Sequence, residues 1–201
     1  MNKNLDQPGN YVILFNKPYG VLCQFTGPKP NLAEYIPVKG FYPAGRLDKD
    51  SEGLVVLTDN GQLQAQITDP EYKMKKTYWA QVEGKINATA LNFIKTGILI
   101  KGKKTAPAQV KKIHIPLSPR EPDIRRRENI PTSWLEIVIK EGRNRQIRKM
   151  TAAAGFPTLR LYRTGVGPWN IFSTPTGSFQ KCRVNYPLYP RLPKKLRRSP
   201  D

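Results

Sequence analysis

The chain has 201 residues, of which 34 are basic and 15 acidic, giving a formal net charge of +19. Such an excess of positive charge favours a nucleic acid as partner, ahead of an anionic membrane surface. A run of ~18 apolar residues is absent, which excludes a membrane-spanning helix, and the polar N-terminus lacks the apolar core of an export signal.

The cysteines and the histidine of the sequence restrict the possible catalytic mechanisms and metal sites. Cys23 and Cys182 are too few for a disulfide framework, and neither has a neighbouring His or Cys at metal-ligand spacing. We therefore expect no metal site and a reducing cytoplasm as the compartment. His114 is the only histidine, which removes mechanisms that use an imidazole base. The chemistry must rest on carboxylate, tyrosine or basic groups.

Apolar runs and turn signals predict the elements of the first half of the chain. In order, they are a buried strand at 11–15, a short helix at 31–36 with Asn31 as its N-cap, a strand at 53–58 closed by a DNG turn, a short helix within 62–70, and a half-buried strand at 75–84. In the last strand Tyr78 and Trp79 point to opposite sides.

The second half of the chain also contains both predicted strands and predicted helices. It predicts a helix at 87–97, a strand at 108–115, a long irregular connection at 116–132, a strand at 133–142 and a helix at 144–155. Strands outnumber helices and follow one another through turns or short helices. We therefore predict an α+β fold with a long, mixed, mostly antiparallel sheet and flanking helices. The expected organisation is a flexible lead-in (1–10), one domain (11–187) and a basic tail (188–201).

The segment GRLDKDSEGLVVLTDNG, residues 45–61, carries the first candidate group. Asp48 lies between Arg46 and Lys49, and an apolar strand follows within a few residues. A buried strand holds the loop before it rigidly, as a reactive group requires, and the basic neighbours favour an ionised carboxylate. The alternative is that Asp48, Asp50 and Glu52 are solvated turn residues that only offset local charge.

A basic block forms the second candidate. Between Gly142 and Arg163 no acidic residue occurs, and the basic residues are Arg143, Arg145, Arg148, Lys149, Arg160 and Arg163. A block of this kind around a helix start suits phosphate binding, and an arginine in it could also hold a carboxylate bidentately. The alternative is a basic solvent-facing surface without a ligand.

The strand KKTYWAQVEG is the third candidate. Tyr78 could be a core residue with a satisfied hydroxyl, or a group of a site. Trp79 could stack on a base or simply cover the sheet.

Together, these three segments resemble, in order and spacing, the pseudouridine synthases that act on ribosomal RNA, in the branch that modifies isolated uridines. The resemblance covers about residues 11–175. It implies an α+β domain with a cleft across the middle of the sheet, ribosomal RNA of the large subunit as partner, no cofactor, and a cytoplasmic monomer. The S4-type RNA-binding domain that precedes this domain in many members is not expected here.

The resemblance also implies roles for particular residues. Asp48 falls on the family's essential aspartate, which attacks either the base C6 or the ribose C1′ of the target uridine. Tyr78 matches the tyrosine that stacks on the base and assists proton removal from C5. Arg148 matches the arginine that pairs with this aspartate, and Arg46 matches the arginine that occupies the space left by the extruded nucleotide.

Two other functions are compatible with parts of the sequence. A non-catalytic protein that binds ribosomal RNA or assists ribosome assembly would share the charge but would not need Asp48. A glycoside hydrolase would need a second carboxylate, for which Asp50 or Glu52 is available. The excess of Arg and Lys favours an anionic substrate over a neutral sugar.

Overall fold

The architecture was analysed in a computed structural model that describes residues 11–114, 117–125 and 127–184. The predicted lead-in and the predicted basic tail lie outside the described residues, as does the predicted domain end at 187. Within the described ranges the elements are β1 (Tyr11–Lys17), β2 (Tyr42–Pro43), β3 (Glu52–Thr58), α1 (Gly61–Thr68), β4 (Lys76–Glu83), α2 (Ala88–Thr96), β5 (Leu99–Ile100), β6 (Lys103–Lys104), β7 (Gln109–Ile113), β8 (Thr132–Ile139), α3 (Gln146–Ala153), β9 (Thr158–Val166), β10 (Trp169–Asn170) and β11 (Phe179–Arg183). Short 3₁₀ turns occupy Leu32–Glu34 and Pro70–Tyr72.

One long sheet organises the chain. Its strand order is β11-β1-β3-β9-β4-β8-β7, with β2 paired to β3 and β10 paired to β9, while β5 and β6 form a separate hairpin. Every described pair is antiparallel except β3 with β9. The predicted α+β class with a mixed, mostly antiparallel sheet is therefore confirmed.

The parallel contact between β3 and β9 forms a seam at the middle of the sheet. Only two residue pairs join the strands there, Glu52 with Tyr162 and Gly53 with Arg163. Gly53 has a φ of +98°, and a Cβ placed on it would overlap the backbone carbonyl of Arg163. Glycine is therefore required at the seam, because only a residue without a side chain permits this approach.

Apolar side chains fill both faces of the sheet. On one face, residues such as Phe15, Val55 and Ile137 pack with Ile94 of α2 and Met150 of α3. On the other face, a second cluster includes Leu63 and Ile67 of α1. β3 is buried along its whole length, which explains why residues 54–57 form a continuous apolar run instead of an alternating pattern.

Local sequence signals explain the helix ends. The side chain of Asn60 accepts hydrogen bonds from the amides of Gln62 and Leu63, so the segment predicted as a DNG turn is instead the N-cap of α1. Two helical amides gain a partner in this arrangement. Asn87 caps α2 in the same way, and Gly97 and Gly155 follow α2 and α3 with positive φ, as the sequence predicts.

The sequence analysis did not predict β9. Its segment, TLRLYRTGV, contains Arg160 and Arg163 and was interpreted only as part of the basic block. Residues 160–164 of this strand are all buried, because β9 lies between β3 and β4 at the centre of the sheet.

The seam generates a prediction. We expect Gly53→Ala to lower the free energy of unfolding by about 2–5 kcal/mol, because positive-φ strain adds to the steric overlap with β9. Chemical denaturation of the purified protein measures this change. Gly61→Ala is the matched control, since its Cβ would meet nothing within 4 Å, and it should alter stability by less than about 1 kcal/mol. Equal stability of the two variants would contradict the assigned role of the seam.

Candidate active site

A pocket of about 330 Å³ opens beside the seam. This volume lies within the range typical of small-molecule sites. Its walls come from the loop before β3, the start of β4, the end of β8, the segment leading into α3, and β9. The predicted site residues that line it are Arg46, Asp48, Tyr78, Arg143, Arg145 and Arg163. Arg148, Lys149 and Arg160 are not among its lining residues.

The loop that carries Asp48 is tied to the core by backbone contacts. The amide of Ser51 donates to the carbonyl of Asp48 at 3.1 Å, which closes a turn. The carbonyl of Lys49 accepts from the amide of Gly20 at 2.9 Å and from Lys17 Nζ at 3.5 Å. Burial lowers the pKa of Lys17 to about 8, against weaker opposing effects of nearby acidic groups. The sequence-based expectation of a rigidly held loop agrees with these contacts.

Arg145 is the ion-pair partner of Asp48. Its guanidinium lies 3.4 Å from the Asp48 carboxylate and also donates two hydrogen bonds, of 3.0 and 2.8 Å, to Asp50. The family resemblance assigned Arg148 to this pairing, and the structure corrects that assignment. Arg148, a turn further along α3, donates to the backbone carbonyl of Asp50 at 2.6 Å and lies 3.5 Å from the Asp50 carboxylate.

Asp50 therefore fixes both arginines. Burial by itself raises the pKa of Asp50, but the hydrogen bond from Arg145 and the charges of Arg148 and Arg145 outweigh it, so the pKa lies below its ordinary value. An ionised, arginine-bound carboxylate is unsuited to donate a proton. Asp50 thus does not fit the second carboxylate of a glycoside hydrolase.

Tyr78 and Trp79 are separated by the strand alternation, as predicted. Tyr78 is 7% exposed and lines the pocket, and its hydroxyl makes no hydrogen bond to any part of the chain that the structure describes. Trp79 is on the opposite face, where Nε1 donates to Glu136 at 3.2 Å and the indole lies 5.5 Å from the Phe172 ring. Only Tyr78 belongs to the site.

Three further predicted residues lie around the pocket or next to it. Arg143 donates to the carbonyls of Lys103 and Lys104 at 3.0 and 2.7 Å, which holds the β5–β6 hairpin against the rim. Lys149 Nζ folds back on the carbonyl of Asn144 at 2.6 Å. Arg46 is exposed and makes no ion pair with the residues described here.

The structure changes the interpretation of Arg160 and Arg163. Arg160 is 8% exposed and binds Glu52 bidentately at 2.9 and 2.8 Å, so its guanidinium is not available at the surface and the predicted RNA contact is not retained. Arg163 is 3% exposed and donates to the carbonyl of Leu54 at 2.7 Å. It reaches the pocket wall but not the surface, because β9 is a central strand.

Lys76 is a pocket residue that the sequence analysis missed. It is 7% exposed and lines the same wall as Tyr78. The alternation of the strand contained the signal, since residues two apart share a face and Lys76 therefore accompanies Tyr78, Ala80 and Val82. A lysine on the apolar side of an alternating strand is a site candidate.

Within the described ranges, no group of three or more His, Cys, Asp or Glu side chains could hold a metal ion. No helix in this part of the chain is long and apolar enough to cross a membrane.

Comparison with known proteins identifies the family. A family model described as RNA pseudouridylate synthase matches residues 11–153, and the chain belongs to this family. It is therefore an RNA pseudouridine synthase, an isomerase, as the family resemblance predicts. A solved structure titled "Crystal structure of pseudouridylate synthase" superposes with a TM-score of 0.71 at 27% identity, covering 89% of this chain and 72% of that one.

Individual relatives show which group within the family the chain resembles. Within the family, the motif LFNKPYGVLCQFT and the segment RRRENIPTSWLEIVIKEGRNRQIRKM predict similarity to the group named ribosomal large subunit pseudouridine synthase E. The protein of that name from Xanthomonas campestris is 47% identical over 175 residues, covering 84% of this chain and 94% of the relative. Its counterpart from Vibrio vulnificus is 49% identical over 185 residues, covering 90% and 79%. The predicted similarity is confirmed.

The buried position of Arg160 generates a prediction. We expect Arg160→Met to lower the free energy of unfolding by about 3–5 kcal/mol, because it leaves buried Glu52 with Arg120, 3.8 Å away, as its one ion-pair partner among the described residues. Lys111→Met breaks the exposed pair with Glu136 and should cost at most about 1 kcal/mol. Denaturant titrations compare the two. An Arg160→Met variant of full stability but weaker RNA binding would restore Arg160 as an RNA contact.

Proposed function

We propose that the protein converts a specific uridine of large-subunit ribosomal RNA, 23S rRNA, into pseudouridine, with Asp48 as the covalent catalyst. The observation that carries this proposal is the placement of Asp48, Arg145 and Tyr78 in one pocket beside the seam. The choice of ribosomal RNA is supported by the names of relatives 47–50% identical over most of this chain. The protein acts as a monomer in the cytoplasm.

The reaction rearranges bonds within a single nucleoside. The C1′–N1 bond breaks, a C1′–C5 bond forms, C5 loses a proton and N1 gains one. Asp48 forms a temporary bond to either C6 of the base or C1′ of the ribose, which divides one difficult step into two easier ones. Atoms and electrons balance without an external oxidant, reductant or group donor.

The pocket residues can each serve this sequence of steps. Arg145 holds the Asp48 carboxylate in place, because its guanidinium lies 3.4 Å from that carboxylate and is itself fixed by two hydrogen bonds to Asp50. The Tyr78 ring supplies an apolar surface for the uracil, and its hydroxyl is free to assist proton removal from C5. The target uridine must leave the base stack to reach them, at a cost of a few kcal/mol, and exposed Arg46 can occupy the space that it vacates.

The surface around the pocket suits a polyanion. Arg46, Arg143 and Arg145 line the pocket and Lys149 lies next to it, in a chain of net charge +19. Release of counterions from RNA then drives association, so the affinity falls as the salt concentration rises. This dependence fits RNA as substrate.

Asp48→Asn provides the direct test of the catalyst. Because the amide is not a nucleophile, we expect no pseudouridine in a 23S rRNA transcript, while RNA binding stays within about threefold of wild type. Pseudouridine mapping and a filter-binding assay measure the two properties. Asp59→Asn, an exposed carboxylate in the turn after β3, is the control and should retain full activity. Equal yields of pseudouridine from wild type and Asp48→Asn would remove Asp48 from catalysis, whereas a wild type that binds the RNA but forms no pseudouridine would favour a non-catalytic RNA-binding protein.

Asp50→Asn tests the positioning of Arg145. The amide offers one acceptor oxygen and no charge, so the guanidinium loses its bidentate hold, and we expect kcat to fall roughly 10- to 100-fold. Single-turnover kinetics at saturating RNA separate this loss from weaker binding. A variant whose kcat equals that of wild type would show that Asp50 does not orient the Asp48–Arg145 pair.

A further inference from the structure

Lys76 carries a buried positive charge with few internal partners. An ammonium group has three N–H donors. The single hydrogen bond that Lys76 Nζ makes within the described residues runs to the carbonyl of Met74, at 3.2 Å, and no carboxylate there lies within ion-pair distance. Burial of a charge is costly unless it is hydrogen-bonded or paired. The remaining donors are therefore available to a molecule in the pocket.

The surroundings of Lys76 strengthen this argument. The titratable and charged groups that line the same pocket are Arg46, Asp48, Tyr78, Arg143, Arg145 and Arg163. Asp48 is the only acid among them, and it is already paired with Arg145. Burial, together with the charge of Arg163, lowers the pKa of Lys76 to about 8. The described part of the chain thus supplies one acceptor, the Met74 carbonyl, to an ammonium group with three donors.

We propose that Lys76 donates a hydrogen bond to a carbonyl oxygen of the extruded uracil, which makes it a catalytic residue. The inference rests on the function proposed above. Uracil offers two carbonyl acceptors and one N–H donor, and an ammonium group, which only donates, can pair with the carbonyls alone. This contact also orients the base in the pocket beside Asp48 and Tyr78.

The contact gains strength as the reaction proceeds. If Asp48 attacks C6, negative charge moves onto the O4 carbonyl as an enolate. If it attacks C1′, the departing uracil is an anion whose charge is shared by its carbonyl oxygens. A fixed ammonium group in a buried site stabilises either charge, and it does so more in the transition state than in the ground state.

Lys76→Met tests the proposal in the full chain with a 23S rRNA transcript as substrate. We expect kcat to fall about 10²- to 10³-fold, as for loss of a donor to a developing oxyanion, while RNA affinity stays within about twofold. Lys75→Met, at the adjacent and exposed lysine, is the matched control and should leave kcat unchanged. A Lys76→Met enzyme with the kcat of wild type would overturn the proposal.

The pH dependence separates chemistry from structure. In wild type, kcat/KM should fall as pH rises through about 8, because the free enzyme then loses the ammonium form of Lys76. Lys76→Arg keeps its charge at every accessible pH, so this decline should be absent in that variant. It also supplies the test if Lys76→Met does not fold. An identical decline in wild type and Lys76→Arg would contradict the role of Lys76.

Sulfur substitution in the RNA identifies the contact itself. Transcripts that carry 2-thiouridine or 4-thiouridine at the target replace one carbonyl oxygen with a poorer acceptor. At one of the two positions, sulfur should slow wild type more than it slows Lys76→Met, and Lys76→Arg should behave like wild type. Equal slowing of all three enzymes at both positions would overturn the contact. Inactivity of wild type on every RNA would instead reject the proposed function.

Discussion

The β3–β9 seam is the constraint on which the site depends. Two parallel residue pairs join the halves of a long sheet, and the contact is possible because Gly53 lets the backbone of Arg163 approach. The buried ion pair between Glu52 and Arg160 ties the same two strands through their side chains. Since Asp48 directly precedes β3 and Tyr78 lies on β4, the other neighbour of β9, the seam fixes the distance between them. The Asp48 carboxylate, although it lies on a loop, thereby acquires the rigidity of the sheet.

The few acidic residues near the site determine which of its arginines are held in ion pairs and which remain available to a ligand. Glu52 takes Arg160 into the sheet, Glu141 pairs with Arg143, and Asp50 holds Arg145 and Arg148. A charge of +19 alone indicates nothing about which cations face a ligand. Among the lining residues, Arg46, Lys76 and Arg163 are the cations without an acidic partner in the described chain, and the Arg163 guanidinium is already bound to backbone carbonyls. In the proposed function, Arg46 is available to the RNA and Lys76 to the base.

Much of this arrangement could be predicted from the sequence. Local rules suffice where one signal dominates: the apolar run of β3, the alternation of β4 and β8, and the stop at Gly97. The motif around Asp48 predicted a rigidly held loop, and the contacts of that loop agree with it. The central strand β9 was not predicted, because arginines in a sequence indicate surface residues. Only the structure shows that the buried carboxylate of Glu52 pairs with Arg160. The predicted ion-pair partner of Asp48, Arg148, was also wrong. Sequence order does not distinguish Arg145 from Arg148, because the pairing depends on which guanidinium contacts the Asp48 carboxylate in the folded chain.

The most direct test of the central claim is a crystal structure of the Asp48→Asn protein bound to its 23S rRNA segment. The account predicts one uridine rotated out of its stack, with its base against the Tyr78 ring and a carbonyl oxygen within hydrogen-bond distance of Lys76 Nζ. The residue at position 48 would lie against C6 or C1′. A target uridine that remains stacked in the RNA, on a surface remote from the seam, would contradict the account.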